Sequence, residues 1–498
     1  MRLRDLSNVE RAAFVALALA CACVMVDVGT GFVRFDLPKE LAVHLFVVVL
    51  LVRALARGEP ELDAVDRGAG LFVLTLLPAL VFARVPALVL RQGAWTTALV
   101  ALFVVARTWS APARTAAVGA GVVLAASAIG EALGLWSLSA PGFAPGGLVG
   151  QRNHLAHAAV LALALLFGAP AVSRRRQIAY AIGAAFLACA IVLTRCRTGY
   201  LAGIVAIALA LPLLPDSARG ARASLFGTIV GVVTAVVMPI SISWTVASPY
   251  LDSTRRLFES SHGSGAVRLE EARATLRLML ARPLFGVGAG QWSAEYAAVA
   301  PAKVRALAVA DGSVPRLSHD DLFARIAEGG IVGVLGALVW LGASLRSLGA
   351  RSELRRVAPL AGAFVVVELL DAGISIPATG LIAALGFASM MPRSRAEQPA
   401  ATWARAPQLA VVAVSLAAVA LLLRLRAADR AFVVEDSPTA LVGACENDGT
   451  AASHCVDAAR RALVVGDRAG AARAVAALER SYRAHPAAAP LQREIAAR

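Results

Sequence analysis

Again and again along this chain, close to 20 residues pass with almost no charge, and arginines crowd the short stretches between. About 20 mostly apolar residues in a helix cross the hydrocarbon of a bilayer. Inside that layer only helices and closed barrels satisfy every backbone polar group, and these runs are too long for strands. They predict an all-α, polytopic helical membrane protein. Spans fall near 11–29, 40–57, 69–85, 92–108, 114–136, 153–171, 177–194, 198–214, 224–246, 321–345, 357–372, 375–391 and 407–424, about 12–13 transmembrane helices in all. A soluble protein of 498 residues would need more charge than the 16% found here to cover its surface.

The charges then set the orientation. The formal net charge is +15, and Lys39 and Lys303 are the only lysines. Such a balance fits cytoplasmic loops that collect cations, so no nucleic-acid partner is expected. With the N-terminus inside, "SRRRQ" (173–177), "DSARGARA" (216–223), "RSLGARSELRR" (346–356) and "RSRAEQ" (393–398) all fall on the cytoplasmic side, although none was used to place the spans. The N-terminal segment is read as the first span and not as a cleavable signal. The loop 140–154 and one large loop, about 247–320, then lie outside. An odd number of spans leaves the tail outside as well. Two domains follow: a membrane domain, 1–424, and a small helical extension, 425–498.

Within the extension, "ARRALVVGDRAGAARAVAALERSYRAHP" (459–486) alternates small, apolar and charged residues at helical spacing, broken at Gly466-Asp467. It reads as a helical hairpin, tetratricopeptide-like or of another kind, and a lone unit of this size invites a protein partner. In an extracytoplasmic tail, Cys445 and Cys455 are candidates for a disulfide closing a short loop.

Candidate chemistry concentrates on the outer side. In "RLSHDDLFARIAEGG" (316–330), Ser318 and Asp321 have the spacing of a helix start, with an apolar period after them. His319 is expected in the first turn, where the helix dipole favours a neutral imidazole able to accept a proton. Asp321 and Arg325 are spaced for an i,i+4 pair. Arg195 and Arg197 in "LTRCRTGYL" sit at an outer boundary, against the inside preference of cations, which is costly unless they are paired or hold an anion. Arg268 lies near the start of an amphipathic stretch, "AVRLEEARATLRLML" (266–280). "GVGAG" (286–290) lacks the flanking strand and lysine of a phosphate loop and reads as a tight turn with close backbone approach. Arg152 and Asn153 open a span on the same side and are assigned to sugar or phosphate. His154 and His157 follow on that helix, but the sequence supplies no neighbouring carboxylate cluster, so no metal is expected.

The order and spacing of "GLVGQRNHLAH" (147–157), "LTRCRTGYLAG" (193–203), "AVRLEEA…RPLFGVGAGQW" (266–292) and "SHDDLFARIAEGGIVGVLG" (318–336) resembles the O-antigen ligase and Wzy-type polymerase superfamily of bacterial integral-membrane glycosyltransferases. The resemblance covers roughly 120–345. Asp320 replaces the family's usual asparagine, and a cysteine precedes Arg197. The resemblance implies an undecaprenyl-diphosphate-linked glycan donor and a lipid A-core or other glycan acceptor, with no metal or cofactor. It implies His319 as catalytic base, Arg197 and Arg268 on the diphosphate, and a site on the periplasmic side of the inner membrane. Ligase and polymerase share these motifs. From other classes, a secondary transporter would show internal repeats and midplane-broken helices, of which there is no sign. A scaffold would not account for outer-face arginines at the membrane.

Overall fold

The computed structural model describes residues 8–25, 33–57, 62–81, 83–139, 142–170, 173–213, 219–238, 264–311, 318–349, 351–391, 393, 405–434, 437–447 and 452–497. Basic residues assigned above to the cytoplasmic side at 216–218 and 394–398, and the outer-loop stretches 239–263 and 312–317, lie outside these. All regular structure among the described residues is helical.

The first helices are α1 (Asn8–Cys23), α2 (Val33–Arg57), α3 (Ala64–Leu74), α4 (Pro78–Val81), α5 (Pro86–Ala106), α6 (Ser110–Ala132) and α7 (Arg152–Gly168). Next come α8 (Arg174–Thr194), α9 (Arg197–Ala210), α10 (Arg219–Val237), α11 (Ser264–Ala281), α12 (Trp292–Val299), α13 (Ala302–Asp311) and α14 (Asp321–Ser347). The chain ends with α15 (Arg351–Leu370), α16 (Pro377–Met390), α17 (Arg405–Val434), α18 (Pro438–Asn447), α19 (Ala452–Val464), α20 (Arg468–Ser481) and α21 (Ala488–Ala497).

Five helical stretches among the described residues are long and apolar enough to cross a membrane: Pro86–Ala132, Arg174–Thr194, Arg219–Val237, Asp321–Ser347 and Ala406–Ala428. Arg197–Ala210 and Pro377–Met390 are apolar but shorter. Between α5 and α6 a single 3-10 turn, Arg107–Trp109, intervenes. The expected span 69–85 is not one helix. It breaks after Leu74, where the Thr75 hydroxyl donates to the Phe72 carbonyl at 2.6 Å, and Pro78 and Pro86 each withhold an N–H from a continuing helix.

The chain folds as two compact units that do not follow chain order. One comprises 1–69, 98–260 and 340–412; the other comprises 70–97, 261–339 and 413–498.

At the centre of the first unit lies α7, whose residues His154 to Gly168 are all buried, as befits a helix apolar on every side. It packs against α6, α8, α9, α10, α15 and α16. Gly227 and Gly231, four apart on α10, let that backbone meet Ala181 and Ala185 of α8, the small-residue packing of membrane helices. Two sets of polar contacts tie the loops. In one, buried Arg107 pairs with Asp63 at 2.8 Å and Asp66 at 2.6 Å, and Arg393 pairs with Asp66 at 2.8 Å. In the other, the Lys39 ammonium donates to the carbonyls of Val24 and Leu148, each at 2.8 Å. Beside it, the Glu131 carboxylate accepts the N–H groups of Ser139, Gly146 and Gly147 at 2.7–2.9 Å. The first set joins segments that the charge pattern assigns to the cytoplasmic side; the second joins segments assigned to the outside.

In the second unit, α18–α21 surround an apolar core that also takes in Val85, Leu88 and Ala294. The turn at Gly466-Asp467 is present: Gly466 has φ 81°, and Asp467 caps α20 by accepting from the Gly470 N–H at 2.8 Å. Cys445 and Cys455 are joined in a disulfide. Further ties run from Arg483 N–H to the Ala294 carbonyl at 3.1 Å and from Arg84 Nε to the Arg480 carbonyl at 3.1 Å. The tail therefore shares a core with the 83–88 turn and α12. Helix α17 runs through the boundary expected at 424/425.

Candidate active site

The second unit builds a clasp around the start of α14. Gly330, at φ 59° and ψ −161°, interrupts that helix, which frees backbone groups on both sides of the break. The glycine-rich turn fills them. Val287 and Gly288 donate to the carbonyls of Ala327 and Glu328 at 2.9 and 3.0 Å, while Ile331 and Val332 donate back to Pro283 and Leu284 at 2.8 and 3.1 Å. Gly286, at φ 69°, lies so close to the Ala327 and Glu328 carbonyls that a Cβ there would collide with both. This is the close approach expected of "GVGAG". The buried Glu328 carboxylate accepts the Trp292 N–H at 3.2 Å and lies 3.5 Å from Arg325. Arg325 also lies 3.5 Å from Asp321. Buried Gln291 exchanges two hydrogen bonds with the Val85 backbone, both at 2.9 Å.

His319 is exposed, between buried Ser318 and buried Asp320. It stands two residues before α14, not in its first turn. The reason is local: the Ser318 hydroxyl accepts the Asp320 N–H at 3.1 Å, a serine turn that competes with a helical cap. The His319 N–H is bound to Glu271 Oε1 at 3.2 Å. Glu271 lies one turn after half-buried Arg268 on α11 and is 1% exposed. Burial pushes its carboxyl up to about 7, although His319 and Arg268 pull the other way. The structure thus brings His319 and Arg268 around one carboxylate.

The first unit gathers the remaining candidates. Arg152 and Asn153, both half-buried, open α7, whose cap is Gln151 accepting from the His154 N–H at 3.0 Å. Arg195 ends α8 in the left-handed region, φ 56°. Arg197 opens α9, capped by Cys196 Sγ, which accepts from the Gly199 N–H at 3.5 Å. Gly199 sits directly on Ala156 of α7, so the two helix starts are neighbours. Behind them, His157 Nε2 lies 3.8 Å from Cys196 Sγ and 3.6 Å from Asp371 Oδ2.

That trio corrects one inference from sequence: His157 does have a carboxylate beside it. The donor atoms of His157, Cys196 and Asp371 lie within 4.8 Å of one another, the donor types that suit a thiophilic cation. The protein already gives each of them a contact of its own: the imidazole faces the carboxylate, the thiol caps α9, and Asp371 Oδ1 accepts the Ala372 N–H at 3.0 Å.

Residues 182–338 match the family model described as O-Antigen ligase. Over that stretch the chain is similar to O-antigen ligases. The matched stretch runs from within α8 to most of α14, and includes Arg195, Arg197, Arg268 and His319. The chain is a polytopic, all-α membrane protein, and about a third of it is similar to O-antigen ligases. No curated protein matches the chain. Of the residues sequence reasoning passed over, Glu271 and Glu328 fall inside the matched stretch and Asp371 outside it. The doubled acid at 270–271 was a visible signal for the first of these. Nothing local in the sequence pointed to Asp371.

Proposed function

We propose that the protein transfers a glycan from an undecaprenyl-diphosphate-linked donor to an acceptor hydroxyl at the periplasmic face of the inner membrane, without a metal. His319 takes the hydroxyl proton as the acceptor oxygen attacks the sugar's anomeric carbon. The bond from that carbon to the diphosphate breaks, and the diphosphate leaves on its lipid. The family resemblance assigns Arg197 and Arg268 to the negative charge that gathers on the leaving group, and Arg195, Arg152 and Asn153 are further candidates for it. Planar guanidinium forks match phosphate oxygens two at a time, and such stabilisation lowers a barrier by several kcal/mol. A positioned general base contributes about 10²–10⁴-fold.

The observation that carries this reading is an exposed histidine held beside an arginine-bearing helix by a buried carboxylate, all inside the matched domain. The meeting of segments 24, 39 and 148, and the disulfide in the tail, support the outward orientation. The acceptor is taken to be lipid A-core or another conjugate, as in a ligase. A second lipid-linked unit, as in a Wzy-type polymerase, is the alternative, and the extension would serve a protein partner in either case. Deleting the gene and analysing carrier-linked glycans separates the cases. Long polymers stranded on the carrier indicate a missing ligase; single units passed on without extension indicate a missing polymerase. Unchanged glycans would contradict both.

A further inference from the structure

Helix α11 turns one face inward through Glu271, Ala274, Thr275 and Leu278, all buried. Ala274 and Leu278 join an apolar cluster that includes Trp292 and Tyr296, and the Thr275 hydroxyl accepts the Trp292 indole N–H at 3.0 Å. The fourth is a carboxylate, while its neighbours Leu269 and Glu270 are exposed. Burying an acid on an apolar stripe is costly, and nothing in the helix requires it. What the acid touches is the backbone of the candidate base.

Resting on the reading above, we propose that Glu271 is a positioning residue of the transfer site: it fixes the chain at His319 and supplies the negative charge that stabilises the imidazolium formed when His319 takes the acceptor's proton. The proton stays on the imidazole; Glu271 accepts only the backbone hydrogen bond. A carboxylate beside a histidine raises its strength as a base and holds its place, the part an acid plays behind a catalytic histidine in hydrolases. The groups that bear on Glu271 are Arg268 from its own helix and His319 and Asp320 from the segment before α14; Glu271 and Glu270 in turn bear on Tyr296 of α12. Asp320 and Glu271 repel each other, Arg268 and His319 offset that repulsion, and Tyr296 is driven further toward its neutral form by burial and by Glu271.

The test uses purified full-length protein returned to membranes of the deletion strain, with the glycan stranded there as donor, and follows transfer from pH 5 to 9. Glu271→Gln keeps an oxygen for the His319 N–H and removes the charge. It is expected to lower kcat about 10-fold or more with KM changed less than twofold. The parent's rate should fall below about pH 7, as Glu271 takes up a proton and its charge is lost, and that part of the acid limb should be missing from Glu271→Gln. Glu271→Asp should recover part of the rate. A parental rate and a parental acid limb in Glu271→Gln overturn the proposal. So does failure of that variant to insert, since an amide of the same shape is easier to bury than a carboxylate. His319→Ala separates the two levels. If it transfers normally, the underlying reading fails; if it is inactive while Glu271→Gln is parental throughout, only the role of Glu271 fails.

Discussion

The imidazole of His157 and the carboxylate of Asp371 face each other at 3.6 Å, buried, with Cys196 Sγ 3.8 Å from the same ring nitrogen. Three elements distant in sequence are pinned at one point: the second turn of α7, the cap of α9 and the end of α15. Arg197 follows that cap directly. The geometry of the arginine-bearing turn therefore depends on a pair no single segment contains.

Asp371→Ala removes the carboxylate that this buried imidazole faces, a loss of about 1–3 kcal/mol for a buried polar group whose partner is taken away. Thermal unfolding of the detergent-solubilised protein should drop by several degrees, and Arg197-dependent transfer should fall with it. An unchanged melting temperature would mean that the pair does not hold the α7–α9 junction.

Arg197→Lys keeps the charge and loses the planar fork. Transfer should decline about 10-fold or more, since a single ammonium cannot grip two phosphate oxygens in parallel. Wild-type rates in that variant would count against a diphosphate clamp at the start of α9.

Metal-free chemistry is checked by chelation and by elemental analysis together. Transfer should survive a divalent-cation chelator, and purified protein should hold well under one equivalent of zinc. Activity lost to the chelator and restored by a single divalent ion would turn attention to His157, Cys196 and Asp371.

The tail offers a pH test of its own. His485 is buried, and burial lowers its titration from about 6.5 to about 4. A histidine held neutral by folding contributes stability that is present above pH 6.5 and is lost as the pH falls toward 4. The α18–α21 region should therefore loosen across that window, read as faster amide exchange there, and His485→Gln should remove the dependence. Separately, Cys445→Ser should cost about 3 kcal/mol through the loss of a short closed loop.

Much of this was legible in the sequence because membrane spans advertise themselves. Apolar runs placed α1, α2, α8, α10 and α14 near their observed positions, and the 3.6-residue period placed α11, α19 and α20. The run at 69–85 misled because hydropathy does not register the prolines at 78 and 86 or a threonine that bonds its own backbone. The serine turn at 318 holds back the start of α14 to Asp321 and leaves His319 just before it. Glu271 drew no assignment, since its i,i+3 spacing from Arg268 says which residues are neighbours and not which face is buried. The His157–Cys196–Asp371 contact joins residues from three separate helical segments, His157 and Cys196 being 39 positions apart and Asp371 far beyond both, and local pattern carries no trace of such a meeting.

The central claim is that an imidazole at position 319 accepts the proton of the attacking hydroxyl. Its most direct measurement is glycan transfer by purified His319→Ala, with insertion and thermal stability checked against the parent. The account expects transfer to fall at least about 100-fold, the lower end of what a general base contributes, with insertion unchanged. Transfer at the parental rate by a normally inserted His319→Ala protein would contradict it.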